Sequence, residues 1–132
     1  MKNLWAPWRM SYIDEEKEES EESGSDCIFC PRIAASDDKR NLIVHRRRLT
    51  AVFMNKYPYN GGHILVMPKR HVPELDDLEN DEMLELFDTV RMGRNALARV
   101  MSPHGYNIGI NLGDVAGAGV PGHLHVHIVP RW

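Results

Sequence analysis

The stretch Pro121-Gly122-His123-Leu124-His125-Val126-His127-Ile128-Val129-Pro130-Arg131-Trp132 alternates imidazole with aliphatic side chains. On an extended strand, whose side chains repeat every two residues, His123, His125 and His127 share one face and Leu124, Val126 and Ile128 the other. One face carries chemistry and the other belongs in a core. Same-face positions stand roughly 6.6 Å apart, so the imidazoles form a ladder along a ligand rather than one chelating cluster. A lone histidine is usually a satisfied surface or core residue, and a His-X-His pair is also a way to hold a metal. Three in strict alternation behind a glycine point to a functional site.

Upstream, the Gly-rich connection Gly113 to Gly122 leads back to a strand in which Tyr106, Ile108 and Ile110 alternate with Asn107, Gly109 and Asn111. Before it, Met83, Leu86, Val90, Gly93, Leu97 and Val100 recur at spacings of three and four, one apolar stripe on a long helix. That helix starts at an Asn80 N-cap with Asp81 and Glu82 in its first turn, and ends near Met101 before Pro103. His63-Ile64-Leu65-Val66-Met67 is almost wholly apolar and predicts a central strand stopped by Pro68. The turn-rich Tyr57-Pro58-Tyr59-Asn60-Gly61-Gly62 precedes it. Leu42-Ile43-Val44 and Leu49 to Met54 predict two more strands, with Arg46-Arg47-Arg48 as a solvated hairpin tip. Ile28 to Ala35 reads as a short helix or turn. Strands and helices are segregated, without repeating βα units, which predicts an α+β domain: an antiparallel sheet covered by a helix.

The 132 residues suit one domain able to bury a core without disulfides. Residues 1–26 read as an aromatic segment, with Trp5 and Trp8 packing on something such as a partner subunit, followed by an acidic linker. Between residues 14 and 26 eight acids face one lysine, whereas from Cys27 to Trp132 thirteen Lys and Arg face eleven Asp and Glu. The body therefore suits a small anionic ligand and is too weakly basic for a nucleic-acid surface. No apolar run reaches the length of a membrane span or signal-peptide core, and the chain reads as soluble and cytoplasmic. Cys27-Ile28-Phe29-Cys30 is then a redox dithiol or half of a metal site.

Glycines 113, 117, 119 and 122 allow backbone N–H groups to approach an anion closely. Placed before three histidines, such a loop can hold a phosphate next to a nucleophile. Imidazole can attack phosphorus and form a phosphoramidate, and a second histidine can protonate the leaving group.

The ordered set Cys27-X-X-Cys30, Phe53-Met54-Asn55, Gly62-His63-Ile64-Leu65-Val66-Met67-Pro68-Lys69-Arg70-His71, Asn111 and Gly122-His123-Leu124-His125-Val126-His127-Ile128-Val129 resembles the histidine triad (HIT) superfamily. Leu4-Trp5-Ala6-Pro7-Trp8-Arg9-Met10 and the Gly-Ala-Gly-Val at 117–120 are similar to its diadenosine polyphosphate (Ap4A) hydrolase and phosphorylase branch, whose relatives usually continue beyond the matching Pro-Arg-Trp. The resemblance implies a HIT domain over 27–132. Its fold would be a five-stranded antiparallel sheet with one long and one short helix, pairing into a continuous sheet in a homodimer. It implies His125 as nucleophile on the α-phosphorus of a dinucleoside polyphosphate, His127 on the phosphate and leaving group, and His63 orienting or relaying protons. Asn55 would contact the ribose, and Asn111 with Gly117 and Gly119 the phosphate oxygens, beside His123. Cys27, Cys30, His71 and His123 would form a structural zinc site of Cys₂His₂ type, and no organic cofactor is implied. Water as acceptor would release AMP, and inorganic phosphate ADP. A purine nucleoside phosphoramidase, a nucleotide-binding regulatory protein with little turnover, and a metallohydrolase with a catalytic metal on His123 and His125 remain the alternatives.

Overall fold

A computed structural model describes residues 27–55, 62–116 and 122–132. Trp5, Trp8, the acidic run, Gly117 and Gly119 lie outside the described residues. In chain order the elements are α1 (Phe29–Ala34), β1 (Ile43–Arg46), β2 (Thr50–Met54), β3 (Ile64–Pro68), α2 (Asn80–Met101), β4 (Gly105–Ile110) and β5 (Val126–Arg131). The five strands form one antiparallel sheet in the order β1-β2-β3-β5-β4. The fold is α+β, and the apolar run at 64–67 takes the central position that its composition predicts. Among the described residues no helix is long and apolar enough to cross a membrane.

The period of two decides which residues meet which layer. Val52, Ile64, Val66, Val126 and Ile128 face Leu86, Val90 and Leu97 of α2, and all eight are buried. Each such side chain stabilises the fold by roughly 1.5–3 kcal/mol through lost water contact. Gly93 lets the helix axis approach: a Cβ there would fall 2.9 Å from Ile64 Cδ1 and 3.2 Å from Ile128 Cδ1. On the opposite face Ala51, Phe53, Leu65 and Met67 pack with Phe29, Ile28, Cys27 and Ile43 around α1. The Phe29 and Phe53 rings meet at 5.3 Å.

Four local expectations are corrected. The N-cap of α2 is Glu79, one residue earlier than Asn80, because Glu82 reaches back to accept the Glu79 N–H at 2.9 Å in a capping box. The apolar stripe is shorter than its spacing suggests: Met83 and Val100 are 40% and 82% exposed, and Met101 packs against the core at the end of the helix. Thr89 and Glu82 take buried positions instead. The arginine run is not a solvated tip. Arg46 pairs with Asp38 and donates to the carbonyls of Ile33 at 2.8 Å and Ala35 at 3.0 Å, which closes the end of α1. Arg47 donates to Asp88 at 2.8 Å and Thr89 at 2.9 Å, and only Arg48 is largely exposed. Lastly, regular pairing in the terminal strand begins at Val126, so His123 and His125 lie on its approach rather than within it.

Candidate active site and metal centre

The approach to β5 is tied to the turn after β3, where Leu124 N–H donates to the Val72 carbonyl at 2.8 Å. Leu124 is thereby fixed in the core, and the two histidines flanking it turn toward α1. Phe29 stands between them, its ring 5.6 Å from that of His123 and 5.4 Å from that of His125, both edge-on. Nothing in the sequence beyond its place inside Cys27-X-X-Cys30 marks Phe29 for this role.

His123 is 1% exposed, and its Nε2–H donates to the Pro68 carbonyl at 2.8 Å. A neutral imidazole that donates from Nε2 presents an unprotonated Nδ1. That atom lies 3.3 Å from Cys27 Sγ and 3.5 Å from Cys30 Sγ, while His71 Nδ1 lies 3.4 Å from Cys30 Sγ. One ligand atom from each of the four residues falls within 4.8 Å of the others. A tetrahedral zinc with bonds of about 2.3 Å to sulfur and about 2.0 Å to nitrogen requires such short edges. The four residues thus fit a closed metal site.

Burial acts in opposite directions on two of these donors, favouring the neutral ligand form of His123 and disfavouring the thiolate of Cys30. Burial pushes the His123 pKa down to about 4, assisted by His71 and His125 and opposed by the Pro68 hydrogen bond, so the ring is neutral at neutral pH. Burial, with a hydrogen bond and charge from Cys27, raises the Cys30 thiol to about 11. Metal binding would therefore have to displace a proton from Cys30. Gly122, at φ +87°, is required by the cluster: a Cβ there would lie 2.9 Å from His71 Nε2.

His125 is separated from this cluster. Its Nδ1–H donates to the His123 carbonyl at 2.9 Å, which leaves Nε2 as the unprotonated, nucleophilic nitrogen of the neutral ring. The residue is 7% exposed, and the His127 ring lies 4.9 Å from its own. His127 opposes Leu65 on β3 and Gly109 on β4, so it stands on the sheet face that carries α1. Among the described residues, a Cβ on Gly109 would meet nothing within 4 Å on the strip of sheet beside His127.

Two strand ends complete the site. Asn55 follows β2 and His63 precedes β3, joined by an Asn55 N–H bond to the His63 carbonyl at 3.0 Å. The Asn55 side-chain nitrogen lies 2.9 Å from His63 Nδ1, and His63 Nε2 lies 3.2 Å from His127 Nδ1. Asn55 Oδ1 is buried without a partner. Asn111, half-buried, lies two residues beyond Gly109 at the end of β4.

The geometry brings His63, Asn55, His125 and His127 into one chain of contacts, with Cys27, Cys30, His71 and His123 in an adjoining one. A HIT domain matches residues 37–132. The chain belongs to the HIT family. A relative described as an AP-4-A phosphorylase, from Mycobacterium tuberculosis, is 40% identical over all of this chain and 69% of its own length. An asymmetrical bis(5'-nucleosyl)-tetraphosphatase from Schizosaccharomyces pombe is 45% identical over 67% of this chain and 48% of that protein. Among solved structures, a Zn-bound histidine triad family protein from Mycobacterium smegmatis superposes with a TM-score of 0.69. It is 26% identical, over 80% of this chain and 75% of that one. For this HIT domain, the metal-capable cluster among the described residues takes His123 without His125. A catalytic metal held by His123 and His125 together has no ligand set there.

Proposed function

We propose that this HIT-family enzyme cleaves dinucleoside polyphosphates at the α-phosphorus through a nucleotidyl group carried on His125. The observation behind this reading is the hydrogen bond from His125 Nδ1 to the His123 carbonyl. It keeps the lone pair on Nε2, so attack on phosphorus needs no base to deprotonate the ring first. The N–P bond forms as the P–O bond to the polyphosphate breaks, and the polyphosphate leaves as an anion whose oxygen accepts a hydrogen bond from the His127 N–H, the proton staying on the ring. Water or inorganic phosphate then breaks the N–P bond, returning His125 and releasing AMP or ADP. Dividing one displacement into two gives each step a better nucleophile or leaving group.

Other residues have supporting roles in this reading. The buried, unpartnered Asn55 Oδ1 suits a ribose hydroxyl donor. Asn111, Gly117 and Gly119 would meet phosphate oxygens. Zinc on Cys27, Cys30, His71 and His123 would supply structure alone, fastening α1 and the turn after β3 to the approach to β5. β4 is an edge strand with Ile108 half-exposed, which suits pairing with a second copy.

Product analysis tests the reaction. Incubated with diadenosine tetraphosphate, the protein should release AMP with ATP if water is the acceptor. If turnover requires inorganic phosphate, ADP with ATP should appear instead. Turnover of an AMP-lysine phosphoramidate with none of the tetraphosphate would refute the substrate class while leaving the histidine chemistry intact.

A further inference from the structure

We propose that Asn55 is a positioning residue that fixes which nitrogens of His63 and His127 carry protons, and so decides that His127 meets the leaving group with an N–H. The kinetic consequence rests on the nucleotidyl-transfer reading above, whereas the proton positions do not.

A neutral imidazole has one donor and one acceptor nitrogen, so a chain of imidazoles has a direction. Here the direction is set at one end. The Asn55 amide nitrogen is only a donor and lies 2.9 Å from His63 Nδ1, which must therefore accept. His63 then carries its proton on Nε2 and donates over 3.2 Å to His127 Nδ1. His127, accepting at Nδ1, holds its own proton on Nε2. The neighbouring His125, donating from Nδ1 to the His123 carbonyl at 2.9 Å, holds the opposite tautomer. Two rings 4.9 Å apart thus present a lone pair and an N–H, the pair of functions that displacement at phosphorus requires.

Asn55 can set this direction because it is itself held. Its backbone N–H bonds the His63 carbonyl at 3.0 Å, and the residue is only 7% exposed. Rotating the amide by half a turn would put Oδ1 against His63 Nδ1 and force a proton onto that nitrogen. The direction of the chain would then reverse, and His127 would offer a bare Nε2. The observed orientation leaves Oδ1 buried and unpartnered, and a ribose hydroxyl donating to it would hold the amide in place. Ribose binding at Asn55 and proton placement at His127 are in this way two ends of one side chain.

The experiment uses the whole chain, labelled with ¹⁵N-histidine, at about pH 8, where ordinary imidazoles are neutral. Two-bond proton–nitrogen correlations distinguish bare from protonated ring nitrogens. Wild type should show His63 Nδ1 and His127 Nδ1 bare and His125 Nδ1 protonated. Asn55→Asp keeps an acceptor for ribose but offers His63 only acceptors, so His63 Nδ1 should become protonated. Its kcat for diadenosine tetraphosphate at about pH 9 should fall roughly 100-fold, the usual size of a lost hydrogen-bond donor to developing negative charge, with KM changed less than about threefold. A protonated His63 Nδ1 in wild type would overturn the proposal, as would an unchanged kcat in Asn55→Asp. The wild-type spectrum decides the orientation even if the variant fails to fold. If wild type turns over no dinucleoside polyphosphate, the functional reading falls and the spectrum still decides this inference.

Discussion

Gly122→Ala separates the metal centre from general stability. At φ +87° an alanine Cβ carries steric strain of about 1–2 kcal/mol, the usual cost of a left-handed backbone for a residue with a Cβ. The same Cβ would stand 2.9 Å from His71 Nε2, closer than carbon can approach, and 3.2 Å from His71 Cε1, a tight contact. His71 is exposed and can swing into solvent, so the clash is relieved by moving a ligand instead of displacing the core. The fold should therefore lose only the backbone strain, a fall in Tm of about 4–8 °C. Zinc affinity should fall about 10- to 100-fold, as when a residue that orients a ligand is lost. Competition against a chromophoric chelator measures the second quantity and calorimetry of the metal-free protein the first. Unchanged zinc affinity in Gly122→Ala would refute the assignment of His71 as a ligand.

Glu82→Gln should weaken the anchor between α2 and the turn bearing His71. The buried carboxylate accepts from Arg70 at 2.6 and 3.0 Å and from the Glu79 N–H at 2.9 Å. The Arg70 hydrogen bond holds its pKa below the usual carboxylate value, with burial opposing and the Glu79 bond assisting. A depressed folded pKa stabilises above the unfolded value of about 4.3 and is lost as pH falls through the folded one. Denaturant titrations should thus show wild type losing more stability than Glu82→Gln below about pH 4.3; parallel curves would contradict this. Thr89→Val removes a fully buried hydroxyl bonded to Thr50 Oγ1, Arg47 and the Glu85 carbonyl, and should cost about 1–2 kcal/mol in chemical denaturation. A loss below about 0.5 kcal/mol would show that this network contributes little.

The runs at 106–110 and 126–129 were legible as strands because one face of each is apolar and meets α2, and the run at 64–67 because it is apolar on both faces, one meeting α2 and the other packing around α1. The partners of Arg46 and Arg47 were not legible: Asp38 lies in the turn before β1 and Asp88 on α2, and only the folded chain brings them to the arginines. The same holds within the site. His63 and His127 could be named from their motifs, but the amide that directs them is joined to His63 only where β2 and β3 pair. The even ladder of three histidines also divides in the structure. Leu124, anchored to Val72, turns His123 toward the cysteines, and the His123 carbonyl in turn orients His125.

The central claim is tested most directly by trapping the nucleotidyl group. Wild type mixed with adenine-labelled diadenosine tetraphosphate and quenched in alkali, where a phosphoramidate survives, should carry one label per site on the peptide containing His125. His125→Ala, folded and still binding AMP, should carry none and turn over no substrate. Label or turnover retained in His125→Ala, or a wild-type enzyme that turns over without ever carrying label, would contradict His125 as the nucleophile.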